Sequence, residues 1–488
     1  MGFFVFLRGI FMDTLQLLSG LKILQVVNTI PQQIDGVFCD SKKVTKNSLF
    51  VCINGTNCDG HDFAFQAVKN GATVVVCQKQ MDIDVCQLVV EDTHKAMSYL
   101  ASAWYDFPAK KMRVICVVGT NGKTSTATLI YKVLCQTGHK SALISTNGIF
   151  IDEKFIENKM TTPDPMELNC LWQKMAECGT KFCVMEMSAH AIDQQKTFGN
   201  VVDLAVFTNL SQDHLDYFGN MQKYGYTKQS FFDRQYSKIA VVNSDDKLGQ
   251  KIIKQNKIPT VSYGITNVAD VFAIDVDCNG QSSSFVINLY DEVCFFRYKL
   301  SGLFNVYNVL ACATTCRVFG IKANEIAKAL LCVDEIEGRN QTVFLPNGVR
   351  VVVDYAHTPD GFANVLSHLK QSTKGKLFCV FGCGGNRDKT KRKTMGQIVS
   401  KHCDFLFITS DNPRFEDPFE IMFQIQQGVS VDHKLICNRG QAITTALNEA
   451  KNGDTIAILG KGHEKYQEIN GAKYPFCDMA AVLQHINN

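Results

Sequence analysis

The sequence lacks the patterns that mark a secreted protein or a zinc-binding protein. It contains 20 cysteines, yet none forms a C-x-x-C pair, and several lie inside apolar runs, such as Cys116 in VICVV. A buried free cysteine behaves as a small apolar residue. The cysteine pattern therefore argues against zinc ligation and against a disulfide framework, and we expect a reducing, cytoplasmic compartment.

Long apolar runs and a strong charge of either sign are also absent. No segment reaches the roughly 18–20 apolar residues of a membrane-spanning helix. The formal net charge of the 488 residues is only +3, which does not indicate a surface for nucleic acid. We therefore expect no membrane and no nucleic acid as partners, and we expect a monomer.

The N-terminal segment MGFFVFLRGIF is apolar but short. It has one arginine, no charged first region and no small-residue cleavage site, so it does not fit a signal peptide. A more ordinary sequence begins at Met12, which is therefore an alternative start of the chain.

The order of strand-like and helix-like segments predicts an α/β protein of three domains. At roughly 100–200 residues per domain, the length of the chain fits three. We place an N-terminal α/β domain at residues 1–108, a central domain at 109–336 and a C-terminal domain at 337–488. In the second and third domains apolar strand runs alternate with helical stretches, which predicts parallel sheets, the last one doubly wound and Rossmann-like. Residues 268–300 alternate polar and apolar side chains, which indicates an antiparallel excursion.

A phosphate-binding loop is the first chemical signal. The sequence GTNGKTS lies between the strand run MRVICVVG and a helical stretch. Backbone N–H groups of such a turn and the helix N-terminus attract phosphate. Lys123 then neutralises the β- and γ-phosphates, and the Thr124 hydroxyl ligates Mg²⁺. Val117 stands where this motif usually has its first glycine, but the strand and the helix are correctly placed.

Two further residues lie at the ends of strand runs of the same predicted sheet, and a lysine follows in a helical stretch. Glu186 ends an apolar run, where a carboxylate can hold Mg²⁺ or can simply be solvated. His214 follows another run and fits either a metal ligand or a capping histidine. Lys228, in YGYTK, reads by itself as a surface lysine of a helix.

Ordered motifs along nearly the whole chain give a resemblance to a known family. The motifs GTNGKTS, MEMSAHA, TNLSQDHLDYFG, YGYTK, GLFNVYN, EGR and DYAHTPD resemble those of the Mur ligase family. DSKKV, GTNCDGHDF, TTPDP, GCGGNRDKTKR, DNPR and GKGHEKYQ narrow the resemblance to its MurE branch. It runs from about Asp40 to Asp478.

The resemblance implies an ATP-dependent ligase of peptidoglycan precursor synthesis. ATP phosphorylates the D-glutamyl γ-carboxylate of UDP-MurNAc-L-Ala-D-Glu, a diamino acid attacks the acyl phosphate, and phosphate leaves. The implied ATP contacts are Gly119, Thr120, Asn121, Gly122, Lys123, Thr124, Ser125, Asn308, Arg339 and Asp354. The implied Mg²⁺ ligands are Thr124, Glu186, His214 and Lys228, the last as a carbamylated lysine (N6-carboxylysine).

The resemblance also assigns the acceptor substrate to a set of residues. The implied contacts of UDP-MurNAc-L-Ala-D-Glu are Ser41, Thr56, Asn57, Thr161, Thr162, Ser188, Gln194 and Lys196. Several positions depart from the usual pattern, namely Ala189 for Ser, Lys196 for Arg, Gln341 near a usual Glu, and Asn386 for Asp. These departures concern substrate positioning, because no metal ligand and no part of the phosphate loop is lost.

The DNPR motif predicts meso-diaminopimelate as the incoming amino acid. Diaminopimelate carries a second carboxylate at its distal end and lysine does not, and the fork of Arg414 suits a carboxylate. Glu464 suits the ammonium group. The implied contacts are Arg387, Asp411, Asn412, Pro413, Arg414, Gly460 and Glu464.

Three alternatives stay open at this point. The ligase could add lysine if Arg414 were only a surface turn residue. A folylpolyglutamate synthase shares the central machinery, although DSKKV and GTNCDGHDF suit a nucleotide-sugar domain better. A non-catalytic nucleotide-binding regulator would be expected to lack Lys123, Glu186, His214 or Lys228, and all four are present.

Overall fold

The structure is a computed structural model that describes residues 12–55, 58–152, 154–278, 282–290 and 292–487. The interpretation of Met12 as an alternative start concerns residues 1–11, which lie outside the described residues. Among the described residues, no helix combines the length and the apolar character needed to cross a bilayer.

The described residues before Arg113 form short strands and helices. These are β1 Met12–Asp13, α1 Thr14–Leu18, β2 Ile23–Val27, β3 Gln33–Ile34, β4 Gly36–Phe38, β5 Ser48–Val51, α2 Ala64–Lys69, β6 Ala72–Cys77, β7 Cys86–Val90 and α3 Thr93–Trp104, with 3₁₀ turns at Ser41–Lys43, Gly60–Phe63 and Pro108–Lys111.

The middle of the chain continues the alternation. Its elements are β8 Arg113–Val118, α4 Lys123–Gln136, β9 Ser141–Ser145, β10 Gly148–Ile151, β11 Lys154–Ile156, α5 Pro165–Glu177, β12 Phe182–Met187, α6 Ala189–Asp193, β13 Val202–Phe207, α7 Leu215–Phe218, α8 Met221–Ser230, β14 Ser237–Asn243, α9 Lys247–Gln255, β15 Thr260–Gly264, β16 Val271–Asp277, β17 Ser283–Leu289, β18 Glu292–Tyr298, α10 Leu303–Val318 and α11 Ala323–Leu331.

The last part of the chain has the same character. Its elements are β19 Gln341–Phe344, β20 Arg350–Asp354, α12 Pro359–Ser372, β21 Leu377–Phe381, α13 Lys391–His402, β22 Phe405–Ile408, α14 Pro418–Gln426, β23 His433–Leu435, α15 Arg439–Glu449, β24 Thr455–Leu459, β25 Tyr466–Ile469, β26 Ala472–Pro475 and α16 Asp478–Asn487.

The chain divides into two compact units. The first contains the described residues up to Cys116 together with Lys140–Ala205 and Phe231–Lys238. The second contains Val117–His139, Val206–Ser230 and the residues from Ile239 onward. Three of the five unit boundaries fall inside β8, β13 and β14, and none coincides with the predicted boundaries at residues 108 and 336, which stay predictions.

The first unit contains a five-stranded sheet with strand order β2-β7-β6-β5-β4. Strands β4 to β7 are parallel and β2 is antiparallel to β7. Apolar residues of α1 and α3, such as Leu17 and Leu100, pack on one face, and residues of α2, such as Ala67, pack on the other. The same unit holds the strands β11-β10-β9-β12, in which β9 and β12 are parallel.

The second unit contains the antiparallel excursion and the doubly wound sheet that the sequence predicts. Strands β16, β17 and β18 pair antiparallel, within the predicted residues 268–300. The C-terminal sheet has strand order β19-β20-β24-β21-β22-β23, and only β19 runs antiparallel to its neighbour. Buried apolar clusters cover both of its faces. The predicted α/β class with parallel sheets is therefore confirmed.

Strand direction in this sheet fixes where its site lies. Because β20, β21, β22 and β24 are parallel, their carboxyl ends share one edge of the sheet. Open α/β sheets bind ligands at that edge. The motifs DYAH, GCGGNRD, SDNPR and GKGHE begin within two residues of these four strand ends.

Candidate active site

The phosphate loop joins β8 to the N-terminus of α4 and has room for no side chain at its two glycines. A Cβ atom at Gly119 would lie 1.8 Å from the Thr208 hydroxyl oxygen. Gly122 has a φ of 83°, and a Cβ atom there would lie 2.6 Å from Asn308 Oδ1. No side chain caps α4, whose first N–H groups are therefore suited to an anion.

The lysine of the loop folds back onto it. Lys123 Nζ donates to the carbonyl oxygens of Gly119 and Thr120, at 3.0 and 2.8 Å. Ser125, one residue after Thr124, is buried in the first turn of α4. A cation held at the mouth of a phosphate loop is the arrangement that neutralises a nucleotide triphosphate.

Lys228 lies against this loop and is buried, not on the surface. Its Nζ donates to Thr120 Oγ1 at 3.0 Å and lies 4.2 Å from the centre of the Tyr224 ring. No carboxylate of the described residues lies within ion-pair distance of Nζ. Burial, together with the charge of nearby Lys123, holds the Lys228 pKa well below its usual range. The separate interpretation of Lys228 as a surface lysine of a helix is therefore wrong.

Asp213 connects His214 to residues from the C-terminal part of the chain. Its Oδ2 lies 3.4 Å from His214 Nε2 and 3.3 Å from His357 Nε2, and its Oδ1 accepts from Lys391 Nζ at 3.2 Å. Burial alone would raise the Asp213 pKa, but the hydrogen bond with His357 and the Lys391 charge hold it well below its usual range. His214 itself is in the left-handed region, with a φ of 54°, at the start of α7.

Arg339 reaches the phosphate loop from a distant part of the sequence. Its Nη2 donates to Thr124 Oγ1 at 2.8 Å, and its guanidinium lies 4.5 Å from the centre of the Tyr355 ring. Thr358 Oγ1 and the carboxylate of Asp360 also hydrogen-bond to Asn121 of the loop. The predicted ATP contacts of the loop and Arg339 are thus brought together.

Two predicted ATP contacts, Asp354 and Asn308, form hydrogen bonds with other residues of the protein. Both oxygens of Asp354 accept main-chain N–H groups, from Asn340 at 2.6 Å and from Ala356 at 2.7 Å. Burial raises the Asp354 pKa. Asn308 is buried beside Gly122 and accepts from Thr126 Oγ1 at 3.2 Å. Both residues shape the walls of the site through these contacts.

Glu186 belongs to the first unit, where Thr146 holds its carboxylate. The Thr146 N–H donates to Glu186 Oε1 at 2.7 Å, and the Thr146 hydroxyl donates to Oε2 at 3.2 Å. The same hydroxyl lies 3.2 Å from Thr161 Oγ1. Glu186 is almost completely buried, so it is not a solvated strand-end residue.

Four of the predicted acceptor-substrate residues cluster near Glu186. Thr162 Oγ1 donates to the Glu186 carbonyl oxygen at 3.0 Å and accepts from the Ser188 N–H at 3.1 Å. Lys196 is buried, donates to the Thr162 carbonyl oxygen at 3.1 Å and pairs with Asp164 at 2.8 Å. Thr161 joins the group through Thr146.

The remaining acceptor-substrate residues lie elsewhere in the first unit or cannot be described. Gln194 ends α6, the short helix that the Ser188 hydroxyl caps. Ser41 is buried at the start of a 3₁₀ turn, where its carbonyl oxygen accepts from Asn70. Thr56 and Asn57 lie outside the described residues.

The DNPR and GKGHE motifs meet at the carboxyl edge of the C-terminal sheet. Asn412 Nδ2 donates to Glu464 Oε2 at 2.8 Å, and Lys461 Nζ donates to the same oxygen at 2.7 Å and to Asn412 Oδ1 at 3.1 Å. Lys461 is completely buried. A Cβ atom at Gly460 would lie 2.9 Å from Asp411 Oδ2, so these two strand ends pack closely.

The GCGGNRD loop packs against the DNPR loop from the other side. The Gly385 N–H donates to the Asn412 carbonyl oxygen, and a Cβ atom at Gly385 would lie 1.9 Å from the Pro413 carbonyl oxygen. Glu416 accepts from the Asn386 N–H and forms two hydrogen bonds with the buried Arg392. The Arg392 partner holds the Glu416 pKa at about 2.

Arg414 and Arg387 differ in how firmly they are held. Arg414 has a φ of 51°, and its Nη1 donates to the Gly385 carbonyl oxygen at 2.8 Å. Its Nε lies 3.2 Å from Glu468 Oε2. Arg387 is exposed on the neighbouring loop.

Several residues that the sequence reasoning did not select take part in these clusters. Thr146 supports Glu186, Asp213 supports His214, and Lys461 supports Glu464. Lys461 and Asp213 lie in the GKGHE and TNLSQDHLDYFG motifs, each next to a predicted site residue, and that position was a usable signal. Nothing local marked Thr146 or Glu468.

The histidine of the GKGHE motif is held neutral. Burial and the nearby positive charges of Arg339, Lys465 and Lys461 lower the His463 pKa to about 3. Its ring lies 4.9 Å from the Tyr355 ring. His463 therefore adds an aromatic wall to the site but no charge at neutral pH.

A glycine-rich phosphate loop contacted by a distant arginine, and a cluster of charged side chains at the carboxyl edge of a parallel sheet, are features of a nucleotide-binding α/β protein. Three family models match the chain, the Mur ligase family catalytic domain at residues 33–112, the Mur ligase middle domain at 117–316 and the Mur ligase glutamate ligase domain at 338–462. The chain belongs to the Mur ligase family.

Similar proteins match over nearly the whole chain. It is 41% identical to the UDP-N-acetylmuramoyl-L-alanyl-D-glutamate–2,6-diaminopimelate ligase of Bacillus velezensis, covering 91% of this chain and 92% of that protein. It is 38% identical to the ligase of the same name from Geobacillus kaustophilus, covering 96% and 98%. A solved structure of a ligase with that name is 30% identical, with a TM-score of 0.70 over 98% of this chain and 99% of that one. The protein is thus an ATP-dependent ligase, as the sequence predicts.

Proposed function

We propose that this enzyme joins meso-diaminopimelate to UDP-MurNAc-L-Ala-D-Glu, with ATP cleaved to ADP and phosphate. The single observation that carries the choice of amino acid is the guanidinium of Arg414 at the carboxyl edge of the C-terminal sheet, beside the Asn412–Glu464–Lys461 cluster. The names of the similar ligases support the same acceptor and the same amino acid.

The reaction needs ATP because a carboxylate is a poor electrophile. Transfer of the γ-phosphoryl group to the D-glutamyl γ-carboxylate gives an acyl phosphate. The amine then attacks the acyl carbon, and phosphate leaves from the tetrahedral intermediate. The amine loses its proton and the new C–N bond replaces the C–O bond to phosphate.

The residues at the phosphate loop are suited to neutralise the negative charge of the ATP phosphates during this transfer. Backbone N–H groups of the turn and the start of α4 suit the β- and γ-phosphates. Lys123 and Arg339 add two positive charges at the loop. Fixed cations at a transferring phosphoryl group stabilise the transition state more than the ground state.

We further propose that Thr124, Glu186, His214 and Lys228 hold Mg²⁺, with Lys228 carbamylated. The described residues contain no group of three or more His, Cys, Asp or Glu side chains that could hold a metal. The proposed ligands include only one carboxylate and one imidazole, because the others are a hydroxyl and a carbamate. In nucleotide sites, phosphate oxygens complete the coordination of Mg²⁺. Bound Mg²⁺ supplies charge neutralisation at the phosphates.

The environment of Lys228 supports carbamylation by its chemistry. Burial and the nearby positive charge of Lys123 favour Lys228 as a neutral amine. A neutral amine attacks CO₂ to form a new N–C bond and releases a proton, and the resulting carbamate is an oxygen ligand with a negative charge. The modification thus converts the buried amine of Lys228 into an anionic group that can bind a metal ion.

The acceptor substrate is proposed to contact Ser41, Thr56, Asn57, Thr161, Thr162, Ser188, Gln194 and Lys196. The cluster of Thr161, Thr162, Ser188 and Lys196 around Glu186 supports this proposal.

The free thiols support a reducing compartment, since none of the 20 cysteines is in a disulfide.

Diaminopimelate is favoured over lysine because a site built for a charge rejects a ligand that lacks it. The amino-acid contacts are proposed to be Arg387, Asp411, Asn412, Pro413, Arg414, Gly460 and Glu464. Lysine would leave the Arg414 guanidinium without the second carboxylate of the substrate.

An amino-acid competition assay tests this function. The enzyme is incubated with UDP-MurNAc-L-Ala-D-Glu, ATP, Mg²⁺ and equal amounts of meso-diaminopimelate and L-lysine, and the product is identified by mass. We expect the diaminopimelate amide and an equal release of phosphate, both abolished by EDTA. A lysine product would keep the ligase and overturn the role of Arg414, whereas no amide with either amino acid would overturn the proposed function.

A further inference from the structure

One face of helix α3 carries two buried hydroxyl groups that bind the segment following α6. Ser98 and Ser102, one helical turn apart, are both completely buried. The Ser98 hydroxyl donates to the Gln195 carbonyl oxygen at 2.6 Å, and the Ser102 hydroxyl accepts from Asn200 Nδ2 at 2.5 Å. Residues four apart share one face of a helix, so this face of α3 packs along residues 195–200.

Gln195 is also held through its side chain, and its backbone conformation is unusual. Its φ is 56°, a left-handed conformation that a glutamine keeps only where the surroundings fix it. The hydroxyl of Tyr236, the residue before β14, donates to Gln195 Oε1 at 2.5 Å. Gln195 Nε2 donates to the Ile192 carbonyl oxygen of α6 at 3.2 Å. Hydrogen bonds from α3, from Tyr236 and to α6 therefore fix this one residue.

The two neighbours of Gln195 in the chain, Gln194 and Lys196, are proposed contacts of the acceptor substrate. Lys196 is buried, donates to the Thr162 carbonyl oxygen at 3.1 Å and pairs with Asp164 at 2.8 Å. A lysine carries a point charge on a flexible stem and lacks the planar fork of an arginine. The position of the Lys196 charge therefore depends on how firmly its main chain is fixed.

The contacts of Gln195 belong to the same compact unit as the acceptor cluster. Ser98, Gln195, Lys196 and Tyr236 are all part of the first unit, whereas the phosphate loop is part of the second. Ser98, Gln195 and Tyr236 are not themselves proposed contacts of any substrate. Their loss is therefore expected to affect the acceptor substrate and not ATP.

We propose that Gln195 is a positioning residue for the acceptor substrate, and that its hydrogen bonds with Ser98 and Tyr236 fix the direction of Lys196. This inference rests on the proposed function, in which Lys196 contacts UDP-MurNAc-L-Ala-D-Glu. The turn is held in the free enzyme, so the acceptor does not have to order it on binding. These hydrogen bonds thus lower the KM for the acceptor and take no part in the chemical step.

Three variants of the full chain test this role. Ser98→Ala and Tyr236→Phe each remove one hydrogen bond to Gln195. We expect each to raise KM for UDP-MurNAc-L-Ala-D-Glu about fivefold, the size of one net hydrogen bond, and to change kcat and the KM values for ATP and diaminopimelate by less than about twofold. Gln195→Gly removes the side-chain contact but accepts a positive φ without strain. Its acceptor KM should therefore also rise, while its melting temperature stays close to that of the wild type.

A double variant distinguishes one shared contact from independent structural damage. Tyr236→Phe and Gln195→Gly remove the same hydrogen bond between their side chains. The combined variant should therefore raise the acceptor KM no further than Gln195→Gly alone. Two single effects that multiply in the combined variant would contradict a shared contact and overturn the inference.

Asn256→Gly is the matched control. Asn256 is an exposed residue of the second unit, at the end of α9, and its φ of 44° is also left-handed. This variant should change none of the three KM values. An acceptor KM within about twofold of the wild type in both Ser98→Ala and Gln195→Gly, or an equal rise of all three KM values, overturns the inference while amide formation by the wild type leaves the proposed function standing. A wild-type enzyme that forms no amide overturns both.

Discussion

Lys228 illustrates how burial changes the chemistry of a single residue. From the sequence YGYTK alone, Lys228 is expected to lie on the solvent-exposed face of a helix. In the fold its amino group lies between Thr120 of the phosphate loop and the ring of Tyr224. Removing a cation from water disfavours its charged form, and this burial lowers the Lys228 pKa.

Replacement of Lys228 by alanine is expected to lower kcat by at least about a hundredfold, because it removes the proposed carbamate ligand of the proposed Mg²⁺ site. Lys223→Ala on the same helix is the matched control, since Lys223 is exposed. Short-chain carboxylates added to Lys228→Ala should restore part of the activity and leave Lys223→Ala unchanged. Wild-type-like turnover of Lys228→Ala without additives would remove carbamylation from the mechanism.

The departures from the family pattern have different explanations at the residue scale. Asn386 has a φ of 51°, a conformation that asparagine tolerates well, and its Oδ1 accepts from the Phe415 N–H. Lys196 is a buried single-point cation paired with Asp164, so it makes one ion pair where an arginine offers a fork. Nothing in the structure explains Ala189.

At the scale of elements, the junction of β8 and α4 depends on backbone shape more than on side chains. Val117 continues the buried strand, and the turn begins only at Gly119. The expected first glycine is therefore unnecessary here, because position 117 has not yet left β8. The loop then requires a positive φ at Gly122 and closeness to Asn308.

Gly122→Ala is expected to weaken ATP binding at least about tenfold and to destabilise the protein by about 2 kcal/mol, since φ strain adds to a clash with Asn308 Oδ1. Gly138→Ala is the matched control at the other end of α4. Its φ is 82°, but a Cβ atom there meets nothing within 4 Å. Titration with a fluorescent ATP analogue and calorimetric melting separate the two effects. Equal ATP affinity in both variants would contradict the proposed fit of the loop.

At the scale of the whole molecule, contacts within the second unit join segments far apart in sequence. Arg339 reaches Thr124, Asp360 reaches Asn121, and Asp213 binds both His357 and Lys391. These contacts connect the phosphate loop and the His214 turn to the C-terminal sheet. The nucleotide end of the site is therefore built by tertiary structure.

Asp213→Asn is expected to destabilise the second unit by about 3 kcal/mol, because Lys391 stays buried without its carboxylate. Asp334→Asn is the control, since Asp334 pairs with Lys299 at an exposed surface where an ion pair contributes about 0–1 kcal/mol. Differential scanning calorimetry of both variants measures the difference. A melting temperature of Asp213→Asn equal to that of the control would show that the cluster does not stabilise this unit.

The sequence by itself determined the α/β class, the parallel sheets, the antiparallel excursion and the phosphate loop. Each of these depends on local pattern, namely strand and helix periodicity, glycines at a strand end and a helix that follows at once. The family also followed from local motifs in order. Such signals survive in a sequence because neighbouring residues encode them together.

Only the tertiary structure decided which side chains support the motifs. Thr146 holds Glu186 from 40 residues away, and Glu468 lies beside Arg414 across 54 residues because β25 crosses the DNPR loop. Burial of Lys228 and Lys461 was equally hidden, since burial depends on how distant segments pack. Long-range partners and desolvation arise from the packing of the whole chain, and no local pattern encodes them.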